Sequence, residues 1–284
     1  MFEIRRYVSR IIFDAKGGAD VLEKLLIDCE FVADFCAKFI KDFIKNAGVN
    51  GVVLGLSGGV DSAVVAALSV RALGKDKVVG AILPYKTSSP DSKKDALSYA
   101  DKLGIKTVEF DITPLVDSHF ARIKNPDKVR IGNFAARMRM AILFDLSKQF
   151  GSVVAGTGNK TERLLGYFTL YGDSACALLP IGDLYKTQVW QLARYLKVPK
   201  KIIAKIPTAD LWKGQTDEGE MGISYKEADS ILYNLVDCGK TPDEVVKSGF
   251  ERAQVERVIR LMRNSEFKRR PPAICELPKQ KEPK

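Results

Sequence analysis

Residues 52–68 read VVLGLSGGVDSAVVAAL, which is an apolar run, a glycine-rich turn and a second apolar run. The first run has the length of a short buried strand, and the second continues to Leu73 and stops at Gly74, as a helix does. A strand that runs through a glycine loop into a helix is the first half of a βαβ unit. Such a junction places backbone N–H groups and the positive end of the helix dipole around an anion.

The same alternation of strand and helix continues as far as residue 155. Because short apolar strands that alternate with helices form parallel sheets covered on both faces, the sequence predicts an α/β fold with a Rossmann-like parallel sheet. Further helices are predicted at both ends of the chain. The predicted strands are 52–56, 78–83, 107–110 and 152–155. The predicted helices are 19–46, as one long helix or two, and 62–73, 92–103, 134–150, 187–196, 225–237, 242–248 and 251–264. Residues 207–222 are predicted to form a long polar loop.

Composition excludes several classes of protein. No apolar run approaches the ~20 residues of a membrane helix, and the N-terminus lacks a signal-peptide pattern, so a cytoplasmic protein without a membrane partner is expected. Five scattered cysteines without a CxxC motif argue against disulfide frameworks and thiolate metal sites. A single histidine, His119, argues against HExxH zinc sites and Ser–His–Asp triads. The net charge of +10 suits anionic ligands such as nucleotides.

The glycine loop lacks the lysine of a P-loop and carries Asp61 instead. Ser57 can donate to a phosphate, and Gly58 and Gly59 allow the backbone to approach it closely. A carboxylate beside bound phosphates is repulsive unless a cation lies between them, so Asp61 implies Mg²⁺. The alternative is that Asp61 only stabilises the N-terminus of the helix.

At these residues the chain resembles the ATP pyrophosphatases that carry an SGGxDS loop, a family of adenine-nucleotide alpha-hydrolase-like proteins. Further blocks are similar to the ammonia-dependent NAD synthetases within that family, and they occur in the family's order. These blocks are NFAARMRM (133–140), GTGNKTER (156–163), GYFTLYGD (166–173), LPIGDLYKT (179–187), PTADL (207–211), GISY (222–225) and KRRPP (268–272).

This resemblance implies an ATP-dependent ligase that adenylates deamido-NAD and amidates it with ammonia. It implies that Mg²⁺ assists and that two copies form a homodimer. Carried over by position, ATP contacts Gly55, Leu56, Ser57, Gly58, Gly59, Val60, Asp61, Ser62, Thr157, Lys186 and Thr208; magnesium is bound by Asp61 and Glu162; and deamido-NAD contacts Arg137, Asp173 and Lys268. Asp61 and Glu162 each follow a predicted parallel strand, so both can reach the same edge of the sheet.

The organisation expected from the sequence is one domain over residues 1–276, followed by a basic tail over 277–284 that is expected to be disordered. The chain has no evident glutamine-hydrolysing segment, so ammonia is the expected nitrogen donor. The loops 84–90 and 207–222 are expected to close over ATP. The apolar helix 134–150 is a candidate for the homodimer interface, and simple core packing is the alternative.

Three positions depart from the commonest family pattern, namely Leu170, Ala177 and Phe267. All three fall on the dinucleotide side of the site that the resemblance implies, so the contacts to deamido-NAD are expected to differ in detail. One alternative function is an adenylating enzyme that acts on tRNA, although no segment resembles an RNA-binding module and nucleic acid is not the expected partner. Another is a non-catalytic nucleotide sensor, which would not need the Asp61–Glu162 pair.

Overall fold

A parallel sheet with the strand order β3-β2-β1-β4 forms the centre of the protein, in a computed structural model that describes residues 23–208, 210, 212 and 214–277. The strands are β1 (Val52–Gly55), β2 (Val78–Ile82), β3 (Lys106–Glu109) and β4 (Val153–Val154). The predicted parallel sheet is therefore confirmed. An isolated parallel bridge pairs Ala155 with Leu178, so the chain near residue 178 extends the sheet beside β4.

Helices surround this sheet and form a further layer at the C-terminal end. They are α1 (Cys29–Ala47), α2 (Val60–Leu73), α3 (Pro90–Leu103), α4 (Thr113–Phe120), α5 (Lys128–Gln149), α6 (Lys160–Leu165), α7 (Lys186–Tyr195), α8 (Lys200–Ile203), α9 (Asp217–Met221), α10 (Tyr225–Leu232), α11 (Pro242–Lys247) and α12 (Arg252–Asn264). A π-helical turn, Tyr233–Asp237, continues α10.

Both faces of the sheet are covered, as its apolar strands require. Val52 and Leu54 of β1 lie in one apolar cluster with Leu68 of α2, whereas Val53 lies in another with Ala135 of α5. Successive residues of a strand point to opposite faces, so these two clusters are the two sides of the sheet. Helix α2 also packs against α1 and α7, which explains why apolar residues occur all round it.

Two helices begin at places that the apolar spacing did not predict. The segment predicted as a helix over 19–46 contains α1, which begins at Cys29 because the Asp28 carboxylate accepts the Phe31 N–H at 3.0 Å. Residues 19–22 of that prediction lie outside the described residues. Helix α5 begins at Lys128 rather than at residue 134, because Asp127 caps it through the Val129 N–H at 3.1 Å.

The C-terminal helices form a second apolar core, which packs against α6 and against the residue before α7. Tyr225, Ile231 and Val258 pack in one buried cluster with Leu165 of α6 and with Tyr185, which precedes α7. The end of α6 and the beginning of α7 are therefore held against this layer. Helix α9 lies within the segment that was predicted to be a loop over 207–222.

In the part of the chain that the structure describes, no helix is both long enough and apolar enough to cross a bilayer. The predicted tail lies outside the described residues apart from Leu277, so the domain limits stay a prediction, as does the cytoplasmic location.

Candidate active site

The glycine loop after β1 leaves the N-terminus of α2 open. Gly59 is the N-cap residue, and no described side chain caps the first turn. The loop is held internally instead, because Ser57 Oγ accepts the Gly59 N–H at 3.2 Å and Ser62 Oγ donates to the Gly59 carbonyl at 3.0 Å. The N–H groups of this first turn are consequently available to an anion.

Gly58 allows the loop to lie directly against α3. Its φ is +75°, and a Cβ atom at this position would lie 2.2 Å from the Ser92 carbonyl oxygen. Both the backbone conformation and the close contact thus require glycine.

Three charged side chains converge beside this loop. Asp61, in the first turn of α2, accepts from Lys186 Nζ at 2.5 Å, and Glu162 accepts from the same Nζ at 3.3 Å. The Lys186 side chain is only 3% exposed, whereas each carboxylate is 17% exposed. The structure therefore brings together the three residues for which the sequence predicted phosphate and metal contacts.

Asn159 positions both carboxylates. It caps α6 in a capping box, in which its side chain accepts the Glu162 N–H at 3.0 Å and Glu162 Oε2 accepts the Asn159 N–H at 3.2 Å. Its Nδ2 also donates to Asp61 Oδ1 at 2.9 Å. The sequence interpretation gave Asn159 no role, although its spacing from Glu162 is the signature of a capping box.

Burial and mutual contact shift the pKa values of two groups in this cluster. Burial raises the pKa of Glu162 to about 8, an effect that Lys186 opposes and Asp61 reinforces. Burial alone would lower the pKa of Lys186, but Asp61 and Glu162 outweigh it and hold that pKa above its ordinary value. Lys186 thus remains charged, and two carboxylates share it.

A cavity of about 500 Å³ opens at this point. It lies beyond the carboxyl ends of β1 and β4, where the strand order reverses and where ligands bind in open α/β sheets. Most of the predicted site residues line it: Gly55, Leu56, Ser57, Gly59, Val60, Asp61, Thr157, Glu162, Asp173, Lys186, Thr208 and Lys268.

The two loops predicted to close over the site meet at the cavity. The Ser89 N–H donates to Asp210 Oδ2 at 2.8 Å, and the Asp210 N–H donates to Thr208 Oγ1 at 3.0 Å. Ser89, Thr208 and Asp210 all line the cavity. The loop after β2 and the segment before α9 are therefore joined across its edge.

A family model described as NAD synthase matches residues 32–272, which is most of the chain. The chain belongs to the NAD synthase family. The curated NH(3)-dependent NAD(+) synthetase of Fusobacterium nucleatum is 50% identical over 222 residues, which is 78% of this chain and 86% of that protein. The protein of the same name from Trichlorobacter lovleyi is 49% identical and covers 78% of this chain and 81% of its own length.

Solved structures agree with this membership of the NAD synthase family. The NMN synthetase from Francisella tularensis has a TM-score of 0.80 and 34% identity, covering 89% of this chain and 100% of that one. The NH3-dependent NAD synthetase from Campylobacter jejuni has a TM-score of 0.76 and 35% identity, and the match covers 88% of this chain and 100% of that one. Both the predicted fold and the predicted assignment to C–N ligases of this family are confirmed.

In this member of the NAD synthase family, the side of the cavity predicted for the dinucleotide is built on the loop 166–173. Asp173 accepts the Thr169 N–H at 2.8 Å, and burial raises its pKa. Lys268 donates to the carbonyls of Gly166 and Phe168 at 2.8 and 2.9 Å. Burial lowers the pKa of Lys268, against the attraction of Asp173. The roles of Asp173 and Lys268 toward a substrate stay predictions.

Three of the predicted contact residues do not line the cavity of this protein. Gly58 faces α3, and Ser62 is buried within the loop. Arg137 donates to the Leu170 carbonyl at 3.1 Å, so it supports the 166–173 loop from behind. Of the departures from the family pattern, Phe267 is 63% exposed, and Ala177 donates its N–H to the Val154 carbonyl beside β4.

Asp217 is a cavity residue that the sequence interpretation missed. It begins α9, is 5% exposed, and accepts from the Tyr225 hydroxyl at 2.9 Å through Oδ2. Its other oxygen, Oδ1, has no hydrogen-bond partner among the described residues. Burial raises the pKa of Asp217, and Asp61 acts in the same direction. Asp217 is therefore a third carboxyl group, after Asp61 and Glu162, that acts on Lys186.

Proposed function

We propose that this protein converts deamido-NAD to NAD, using ammonia as nitrogen donor and ATP as the activating substrate. The observation that carries the proposal is the convergence of Asp61, Glu162 and Lys186 beside the open N-terminus of α2. Cationic and N–H groups placed around one position suit a reaction in which charge develops on phosphate oxygens.

In the first step, an oxygen of the nicotinate carboxylate attacks the α-phosphorus of ATP, and the bond to the β-phosphate oxygen breaks. The products are an acyl adenylate and pyrophosphate. The N–H groups of loop 55–62 hold the phosphates, and Lys186 stabilises the charge on the departing pyrophosphate. The joined loops at Ser89 and Asp210 exclude water, which would otherwise hydrolyse the adenylate.

In the second step, the nitrogen of ammonia attacks the acyl carbon, and AMP leaves with the bridging oxygen. The nitrogen must lose a proton as the amide forms. Asp173 lines the cavity, and burial raises its pKa, so its carboxylate is a stronger base than an exposed aspartate and is suited to accept that proton.

The residues fit Mg²⁺ when the ion is shared with substrate. Mg²⁺ is usually bound by one or two carboxylates together with phosphate oxygens and water. Asp61 and Glu162 supply that number, and both lie beside the open N-terminus of α2 where phosphates would bind. No larger group of metal-ligating side chains occurs in the described ranges. When bound, Mg²⁺ would neutralise charge on the pyrophosphate.

The acceptor is tested by measuring pyrophosphate release from ATP with ammonium present. The parallel reactions contain deamido-NAD, nicotinate mononucleotide, bulk tRNA or no acceptor. We expect release with deamido-NAD, matched by NAD formation. A mononucleotide acceptor is the second candidate, because the NMN synthetase from Francisella tularensis matches this chain over its whole length. Pyrophosphate release at the same rate with and without deamido-NAD would contradict the proposal.

Glu162→Gln is expected to lower the rate of pyrophosphate release about 100-fold, because it removes one of the carboxylates that stabilise cations around the phosphates. The matched control is Glu244→Gln, which changes the corresponding glutamate of another capping box, on α11 away from the cavity. Steady-state rates as a function of Mg²⁺ concentration provide the measurement. An unchanged rate in Glu162→Gln would contradict the role of this carboxylate. Unchanged ATP affinity in Glu162→Gln, together with no pyrophosphate release by the wild-type protein, would instead favour a nucleotide sensor.

A homodimer with α5 in its interface is part of the proposal. Phe144 of α5 is 43% exposed, although it is large and apolar. Phe144→Glu is expected to shift the protein from dimer to monomer in sedimentation velocity, because it places a charge in that interface. Phe39→Glu on α1, where Phe39 is 42% exposed, is the matched control. Dissociation by Phe39→Glu but not by Phe144→Glu would assign the interface to α1.

A further inference from the structure

A buried aspartate behind the cavity links the two helices that supply Glu162 and Lys186. Asp229 of α10 is 0% exposed and lies among the apolar residues of the C-terminal core. One of its oxygens accepts from Thr161 Oγ1 at 2.6 Å, and the other accepts the Thr187 N–H at 2.8 Å. Thr161 precedes Glu162 in α6, and Thr187 follows Lys186 in α7.

A further hydrogen bond closes this arrangement. Thr161 Oγ1 accepts the Lys186 N–H at 2.9 Å while it donates to Asp229. The backbone of Lys186 is therefore tied directly to the residue beside Glu162, and Asp229 holds both from behind. The first turns of α6 and α7 cannot separate or slide past each other without breaking at least one of these bonds.

The chemistry of the site requires a carboxylate at position 229. Thr161 and Thr187 both present donors to it, and an ionised carboxylate accepts through both oxygens, whereas an amide can accept through only one. Burial raises the pKa of Asp229 to about 6, against the hydrogen bonds from Thr161 and Thr187 and the charge of Lys186. These hydrogen bonds offset the free-energy cost of burying an ionised carboxylate at this position.

We propose that Asp229 is a positioning residue, which fixes Glu162 and Lys186 at the separation that the reaction requires. The inference rests on the function proposed above, because that function assigns the two charged groups to one triphosphate. Asp229 itself does not line the cavity and acts through the starts of α6 and α7. Displacement of a catalytic group by about 1 Å can cost on the order of 100-fold in rate.

The test compares Asp229→Asn with Asn234→Ala in the full-length protein. Asn234 lies one turn further along the same helical segment, is 2% exposed, and donates to the Ser230 carbonyl at 2.8 Å. Both variants lose a buried hydrogen bond, but only the first contacts α6 and α7. We expect Asp229→Asn to lower kcat about 10- to 100-fold with KM for ATP changed less than about 3-fold, and Asn234→Ala to keep kcat within about 2-fold.

A second pair of variants separates positioning from loss of folding. Thr161→Ser keeps the hydroxyl that joins Asp229 to Lys186, and Thr161→Val removes it at nearly the same volume. Thr161→Ser is expected to retain kcat within about 3-fold, whereas Thr161→Val is expected to lose about 10-fold or more. Thermal unfolding of each variant shows whether it is folded at the assay temperature.

The outcomes distinguish this inference from the proposed function. If the wild-type protein does not form NAD from deamido-NAD, the proposed function fails whatever Asp229 does. If the wild-type protein forms NAD but folded Asp229→Asn and Thr161→Val keep the wild-type kcat, the positioning role is overturned. The role is also overturned if Asn234→Ala loses as much kcat as Asp229→Asn at equal thermal stability.

Discussion

Replacement of Lys186 by methionine is expected to lower kcat for pyrophosphate release about 100- to 1000-fold, the range seen when one preorganised electrostatic contact to a transition state is removed. The ammonium group is almost fully buried and is held by Asp61 at 2.5 Å, so it requires no reorganisation when charge develops on the pyrophosphate. Methionine fills similar space without charge. Steady-state kinetics with ATP and deamido-NAD provide the measurement.

Lys160→Met is the control for this experiment. Lys160 also begins a helix and forms ion pairs with Asp237 at 2.7 Å and Asp183 at 3.3 Å, but it does not line the cavity. Its replacement removes a nearby lysine but not the charge that faces the phosphates, so kcat is expected to stay within about 3-fold. Equal loss in both variants would mean that Lys186 acts through folding rather than through charge.

Gly58→Ala is expected to lower the free energy of unfolding by about 3 kcal/mol and to weaken ATP binding at least 10-fold. About 1 to 2 kcal/mol comes from a non-glycine residue at positive φ, and a comparable amount comes from overpacking against the Ser92 carbonyl. Relief of that collision moves the loop away from α3, and this displaces the N–H groups that hold the phosphates. Urea unfolding and titration with ATP measure the two effects.

Gly48→Ala separates the two causes. Gly48 follows α1 with a φ of +64° and a ψ of +32°, and a Cβ atom there would meet nothing within 4 Å. Its replacement therefore carries only the backbone cost of about 1 to 2 kcal/mol, and ATP affinity should not change. If Gly58→Ala were no more destabilising than Gly48→Ala, the close approach of the glycine loop to Ser92 would not be a requirement of the fold.

The sheet could be predicted from the sequence because its inner strands β1 and β2 are buried on both faces. Runs such as Val78–Ile82 are continuously apolar, and glycines such as Gly74 and Gly104 mark the helix ends, so local pattern and tertiary structure agree. The start of α5 could not be found in the same way. Its first turns are more polar than the segment from Phe134 onward, and the cap at Asp127 determines where the helix begins.

The charged part of the site could be predicted because each residue follows a strand or a recognisable motif. The parallel topology predicted that Asp61 and Glu162 lie at one edge of the sheet. In the structure, both form ion pairs with Lys186. Asp217 and Asp229 could not be predicted, since their roles depend on how the C-terminal helices pack behind α6 and α7. Nothing in the local sequence around either residue distinguishes it from a surface aspartate.

The most direct test of the central claim follows an oxygen isotope through the reaction. Deamido-NAD labelled with ¹⁸O in both oxygens of the nicotinate carboxylate is converted with ATP and ammonium, and the products are analysed by mass spectrometry. Attack of the carboxylate on the α-phosphorus predicts one ¹⁸O in AMP, one in the amide of NAD, and none in pyrophosphate. Unlabelled AMP, or label in pyrophosphate or orthophosphate, would contradict an adenylate intermediate formed at the Asp61–Glu162–Lys186 site.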